Sequence, residues 1–330
     1  MGAEEYRLRP LADADVPALA RIFTAQLPEL PMTVEEYRYI LTSLRAPPQI
    51  AYEVVAESPA TGEVVAFAEL RTRSTAFDPR KFWVGILVDP AHEGRGLGRR
   101  LAEHLIAEAR SRDALCLMTD VRADRPRHVR FFERSGFVER RRTWQSRLDV
   151  TRSSREFAPD RTEALRSEGI EFTTLAELGS DRPEVRERVY QLHTAAAADV
   201  PRIGTYTPES REDFFQWTFA SPGYLPEAYF LAVSREHYVG LSNLESTRGE
   251  PGVLMQVFTG TRPEWRGRGI ATELKRRGVE YARSHGYREI RTHNDTTNAP
   301  IWAINRHLGF EKHLEFVVGD LTLGPPPPGP

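Results

Sequence analysis

Sliding the 330-residue chain over itself until Pro90 lies over Pro263 brings two segments into register without a gap. "PAHEGRGLGRRLAEHLIAEARSRD" at 90–113 then lies over "PEWRGRGIATELKRRGVEYARSHG" at 263–286. Gly94-Arg95-Gly96 falls on Gly267-Arg268-Gly269, and Leu101 on Leu274. Further along, Thr119 falls on Thr292 and Gly136-Phe137 on Gly309-Phe310. Chance supplies a shared Gly-Arg-Gly; it does not supply these spacings over about fifty residues. Two copies of one folding unit follow, which is also the prior for a chain of this length.

The periodicities repeat with the residues. In the first half "YRLRPL" reads as a strand, followed by helices near 13–26 and 33–45. "IAYEVVAES" and "EVVAFAELRTR" alternate apolar and polar residues around "PATG", a hairpin signature. "FWVGILV" is a buried-type strand, 97–112 a helix, "ALCLMTDV" a strand, 126–135 a short helix and "FVERRRTWQSRLDV" a final strand. The second half gives "IEFTTL", helices near 182–198 and 208–219, and strands "AYFLAVS", "YVGLSNLES" and "VLMQVFTGT". Helix 270–285, "REIRTHN", helix 298–308 and "FEKHLEFVVGDLTL" complete it. Each half is α/β in order. The expected domains are 1–150 and 170–323, joined by a charged linker at 151–169 and followed by a proline-rich, disordered tail at 324–330.

Composition removes several classes. A formal net charge of −2 argues against a broad nucleic-acid surface. No apolar run approaches the roughly 18 residues of a membrane span. The opening "MGAEEYRLRP" lacks the basic and apolar regions of a signal peptide, and Tyr6 stands where a myristoylation signal needs Ser or Thr, so a cytoplasmic protein is expected. The one cysteine, Cys116, allows no intramolecular disulfide, and nine histidines without a ligand spacing give no metal site. Lysine occurs only at Lys81, Lys275 and Lys312; the rest of the 45 basic residues are arginine.

The repeated loop runs strand, proline, "RGRGIA", helix. Glycines 267 and 269 let backbone N–H groups approach a ligand, and the free donors of a helix start favour anions. Arg266 and Arg268 add charge suited to phosphate oxygens. A diphosphate site is therefore expected. It is not a Walker loop, because Gly-Lys-Ser/Thr is absent. Nor is it the G-x-G-x-x-G fingerprint, because Gly94, Gly96 and Gly98 are spaced two and two and the second copy ends at Ala271.

The remaining pattern is Q/R-x-x-G-x-G/A after a strand, and there both halves resemble the GNAT acetyltransferase superfamily. Arg266, Gly269 and Ala271 fill its three positions. "NAPIWAINRHLGF" resembles its later motif, with Asn298 twelve residues before Phe310. The tandem order is similar to that of mycothiol synthase. The resemblance implies two tandem domains, each a mixed, mostly antiparallel sheet flanked by helices, using acetyl-CoA or another acyl-CoA. It implies that Phe258, Thr259, Gly260 and Thr261 pair with the pantetheine arm. Arg266, Gly267, Arg268, Gly269, Ile270, Ala271 and Thr272 would hold the diphosphate, with Asn298 nearby. Val88, Gly94, Arg95, Gly96 and Gly98 are the corresponding residues of the first half. The opening between "VLMQVFTGT" and "REIRTHN" would admit the acyl group.

The halves differ where chemistry would occur. Arg266 is matched by Glu93, and Asn298 by Arg125. Many family members carry a tyrosine, general acid to the leaving thiolate, four residues before the Gly-Phe glycine; here Phe132 and Asn305 stand there. Phenylalanine has no proton to give, whereas asparagine can donate a hydrogen bond to sulfur. Catalysis is expected in the second half. Glu245, His293 and Asp199 are candidate bases, though a solvated side chain or helix cap is the commoner role for such residues, and Asp199 could instead orient a cationic substrate. The expected function is acyl-CoA-dependent N-acetylation of an amine, a small molecule, by direct attack in a ternary complex. A catalytically silent CoA-binding sensor and a protein N-acetyltransferase are the alternatives. Neither nucleic acid nor membrane is an expected partner, and a monomer is preferred to a homodimer because a tandem chain can make a dimer's contact internally.

Overall fold

The computed structural model describes residues 6–151, 160–200 and 205–324. Part of the linker (152–159), part of the loop after Asp199 (201–204) and the proline-rich tail from 325 lie outside the described residues.

The first half runs β1 (Arg7–Pro10), α1 (Val16–Gln26), α2 (Val34–Leu44), β2 (Ala51–Glu57), β3 (Val64–Arg71), β4 (Lys81–Val88), α3 (Leu97–Ser111), β5 (Cys116–Arg122), α4 (Pro126–Arg134) and β6 (Val138–Asp149). After α5 (Thr162–Ser167) the second half gives β7 (Glu171–Thr174), α6 (Leu175–Leu178), α7 (Pro183–Ala197), α8 (Arg211–Phe219), β8 (Tyr224–Ser234) and β9 (His237–Ser246). It closes with β10 (Val253–Thr261), α9 (Ile270–Ser284), β11 (Glu289–Asp295), α10 (Ala299–His307) and β12 (Glu311–Thr322).

Sequence causes are visible in the elements. Helix α3 buries Leu97, Leu101, Leu105 and Ala109, one per turn, so a single stripe meets the sheet. Truncating Leu101, which is fully buried, would cost about 2–5 kcal/mol. Helix α2 starts at a capping box, in which Thr33 Oγ1 accepts from Glu36 N while Glu36 accepts from Thr33 N.

Two compact units form, and they do not follow chain order. One takes the chain through Arg142 and again from Phe316; the other takes Thr143 through Glu315, apart from a few residues near 205–207. In the first unit the strand order is β1-β2-β3-β4-β5-β12, antiparallel except for β4 beside β5. In the second it is β7-β8-β9-β10-β11-β6, antiparallel except for β10 beside β11. Each mixed, mostly antiparallel sheet is thus completed by the last strand of the other half of the sequence. Residues of β6 pair from Thr143↔Asp295 to Asp149↔Glu289, and those of β12 from Phe316↔Arg122 to Thr322↔Cys116. The apolar residues travel with them: Leu148 packs with Ile290 and Phe310, and Leu321 packs with Leu105 and Leu117.

In the second unit α9 covers one face of the sheet, with Ile270, Leu274 and Val279 over Val239 and Leu254. The other face lies under α7 and α8, with Val189, Leu192 and Phe214 against Tyr229 and Leu241. No helix among the described residues is long and apolar enough to cross a membrane.

Candidate active site

Both units contain a fork between their parallel strands. In the second, β10 pairs with β11 from Val253↔Glu289 to Gln256↔Thr292 and no further. Thr292 Oγ1 donates to Gln256 O at 3.2 Å, closing the apex. In the first, pairing ends at Trp83↔Met118, and Thr119 Oγ1 donates to Val84 O at 2.8 Å. The threonine shared by the two copies of the repeat is the apex residue of each fork.

Beyond the apex the strands differ by one residue. β4 keeps a continuous register with β3 from Arg71↔Trp83 to Ala66↔Val88. β10 slips against β9 between Gln256 and Phe258, leaving Val257 as a bulge residue, 53% exposed. A bulge bends its strand and increases local twist, which carries β10 away from β11. Asn243 fills the gap in the ladder. Its Oδ1 accepts from Phe258 N at 3.2 Å, and Gln256 Nε2 donates to Asn243 O (2.7 Å) and Phe258 O (3.1 Å).

At the mouth of each fork a proline-led turn leads into a fifteen-residue helix whose N-cap is a left-handed glycine. Gly267 and Gly269 have φ of +78° and +90°; Gly94 and Gly96 have +75° and +85°. An L side chain would be strained at either position, and the first N–H groups of each helix have no acceptor within the helix. Gly98 and Ala271 occupy matching places in the first helical turns, where a small residue leaves the donors uncovered. The Ile270 side chain is buried, so that residue and Thr272 would meet a ligand through the helix start rather than an apolar surface. This shape suits a diphosphate in both units.

The charges separate them. Arg266 Nη1 lies 2.7 Å from Asp199 Oδ2, and its Nε donates to Thr261 O at 3.2 Å. Arg268 stacks over Trp265 and lies 3.7 Å from Glu168. In the first unit Glu93 occupies the place of Arg266. It accepts from Gln26 Nε2 at 2.7 Å and lies 3.4 Å from His128 Nε2. Gln26 also donates to Val88 O, at the end of the strand edge expected to meet the cofactor. The first cradle therefore holds a carboxylate of its own.

The candidate catalytic residues fall into two places. Glu245 and His293 lie beside the fork: Glu245 is opposite Met255, one residue before the apex, and His293 is one residue after Thr292. Burial pushes the Glu245 carboxyl up to about 7, against the opposing effect of Ser221 Oγ donating to it at 2.7 Å. His293 opens to solvent while protein surrounds it on most sides, and that loss of hydration lowers its pKa. Asp199 is at the cradle instead, bonded to Arg266. Asn305 is 1% exposed and its Nδ2 donates to Asn294 Oδ1 at 2.6 Å; Asn294 in turn donates to Ser146. Asn298 caps α10, its Oδ1 accepting from Ile301 N. Phe132 stacks on Phe137 inside the first unit.

His193 on α7 was not among the expected residues. Its ring packs 4.5 Å from Phe258 and 4.8 Å from Phe214, and burial pushes its pKa down to about 4. The signal for it is the repeat, because the matching position of the first copy is Ala20, in a stripe that is otherwise apolar in both halves. Among the described residues no three His, Cys, Asp or Glu side chains are grouped to hold a metal.

Comparison with known proteins agrees with the fold of both halves. Residues 17–137 match the model of the acetyltransferase (GNAT) family, and residues 174–311 match an acetyltransferase (GNAT) domain model. A mycothiol acetyltransferase of Amycolatopsis mediterranei is 26% identical over 262 residues, covering 76% of this chain and 79% of the relative. Glucosamine 6-phosphate N-acetyltransferase 1 of Oryza sativa is 33% identical over 145 residues, 42% of this chain and 84% of that protein. Among solved structures, a tandem GNAT protein from the clavulanic acid biosynthesis pathway superposes with a TM-score of 0.75 at 22% identity, covering 98% of this chain and all of that one. A GCN5-related N-acetyltransferase from Sphaerobacter thermophilus gives 0.66 at 24% identity, covering 97% and 96%.

Proposed function

Because the chain belongs to the GNAT acetyltransferase family, with one such domain in each half, we propose that it transfers an acetyl group from acetyl-CoA to the amine of a small molecule, and that the second unit performs the transfer. The observation that carries this is a pair of matched positions beside the two forks. Glu245 stands one residue before the apex in the second unit, and Arg71 stands there in the first, opposite Trp83. A carboxylate whose pKa is about 7 can accept a proton from an ammonium near neutral pH; a guanidinium cannot.

Acetyl-CoA supplies a thioester reactive enough for direct attack by a neutral amine, without a protein nucleophile. The cradle of α9, with Gly267, Gly269 and the Arg266 cation, fits its diphosphate, whereas Glu93 opposes one in the first unit. Glu245 takes the proton of the incoming ammonium on the face covered by α7 and α8. On that face His193 packs on Phe258, and Glu209 Oε2 lies 3.9 Å from His193 Nε2. Fixing both reactants in one fork supplies much of the acceleration. The mycothiol and glucosamine 6-phosphate acetyltransferases among the relatives support a small-molecule acceptor.

The test is CoA release from acetyl-CoA across a panel of small amines. Gly269→Val should abolish turnover and Gly96→Val should retain it. The opposite pattern would move the chemistry to the first unit. Binding of acetyl-CoA without turnover on any amine would leave a CoA-binding protein, consistent with the buried, non-acidic Asn305 and Phe132.

A further inference from the structure

We propose that Arg161, from the segment between the two halves of the sequence, is a ligand of the acyl-CoA diphosphate in the second cradle. The inference rests on the reading of that cradle given above and adds to it a residue that lies outside both repeats.

Arg161 lies directly on Gly269. A Cβ at that glycine would sit 2.5 Å from Arg161 Nη1, 3.3 Å from its Cζ and 3.4 Å from its Cδ, so the guanidinium occupies the space the glycine leaves open. The matching Gly96 has no atom within 4 Å of the same point. Residues on either side of Arg161 hold it there. Asp160 Oδ1 is 3.3 Å from Arg276 Nη2, Thr162 Oγ1 donates to Glu273 Oε1 at 2.8 Å, and Arg277 Nη2 donates to Thr162 Oγ1 at 3.0 Å. All three partners are on α9, so Arg161 is clamped against the helix whose N-terminus it faces.

The placement is electrostatically odd without an anion. Gly269 caps the positive end of α9, and a cation held there meets unfavourable partial charge. Arg266 and Arg268 offset this with Asp199 and Glu168. The Arg161 side chain makes no hydrogen bond or ion pair with any described residue. A phosphate oxygen at the helix start would satisfy the guanidinium and the free N–H groups together. Arginine suits this better than lysine, since its planar fork can bridge two oxygens.

Equilibrium titration of the full chain and of Arg161→Ala with CoA and with 3′-dephospho-CoA tests this, with acetylpantetheine-dependent turnover as the phosphate-free arm. Arg161→Ala should weaken CoA and 3′-dephospho-CoA alike by about tenfold, Arg161→Lys should restore part of the loss, and the KM for acetylpantetheine should stay within twofold of wild type. CoA binding by Arg161→Ala within twofold of wild type would overturn the assignment. So would a loss seen with CoA but not with 3′-dephospho-CoA, or an equal loss with acetylpantetheine. A wild-type chain that binds no CoA overturns the acyl-CoA reading itself, a failure separable from that of Arg161.

Discussion

Asp199 and Arg266 meet at 2.7 Å across the mouth of the second fork, and at the corresponding positions of the first unit Gln26 and Glu93 meet at the same distance. The same two positions touch in both units, with a cation in one cradle and an anion in the other. If Arg266 holds a cofactor phosphate as proposed, Asp199 would compete with it, and Asp199 lies at the cradle rather than beside the apex. Both partners are substantially exposed, so the pair is worth no more than about 1 kcal/mol. Asp199→Asn should tighten CoA binding by about two- to fivefold in a titration at low salt, and leave the pH dependence of kcat unchanged. A lost limb of the pH profile would restore Asp199 as a base.

Glu245→Gln should lower kcat by about 100-fold or more and remove the rise of rate through pH 7. The same variant should be more stable. A carboxyl raised to about 7 binds a proton in the folded chain that the unfolded chain has already lost, so stability falls as pH rises from about 4.5 to 7. Denaturant melts at pH 5 and pH 8 should show a gain of about 1 kcal/mol at pH 8 and almost none at pH 5. A variant that is less stable at both would mean that the Ser221 contact, rather than desolvation, dominates.

Lys275, one of three lysines in an arginine-rich chain, is 2% exposed on α9 and lies over the Phe310 ring. Burial pushes its pKa down to about 7. From there up to about 10.4 the unfolded chain holds a proton that the folded chain does not, so stability rises with pH across that window and the cost is complete below it. Lys275→Met removes the cost and fits the same space. It should stabilise by on the order of 2 kcal/mol at pH 6.5, raising Tm by about 4–8 °C, with the gain gone near pH 10. A constant gain at every pH would exclude desolvation of the ammonium as its source.

Deleting Val257 gives β10 the residue count of β4. The fold should survive, since β4 is itself a regular strand, but the loss of the bulge removes the bend beyond Gln256. Turnover should fall by at least about 100-fold with an unchanged far-ultraviolet circular dichroism spectrum. Retained turnover would show that the fork opens without the bulge.

The sequence by itself determined the repeat, the order of strands and helices, the cradle glycines and the charge contrast between Glu93 and Arg266. These are local properties: side-chain period, a turn that needs left-handed backbone, a charge at a fixed place in a motif. "VLMQVFTGT" is observed as the strand 253–261, and the helix read at 270–285 ends one residue earlier. Only the tertiary structure decided which sheet each last strand joins. Nothing local in β6 or β12 names the strand it pairs with, because the choice depends on partners far away in the chain. It also decided that Asn305 donates inward to Asn294, that Asp199 is bound to Arg266, and that Arg161 lies on Gly269. Periodicity fixes which way a side chain faces on its own element. What it touches depends on how distant elements pack, and one bulged residue at Val257 is enough to change that in one half and not the other.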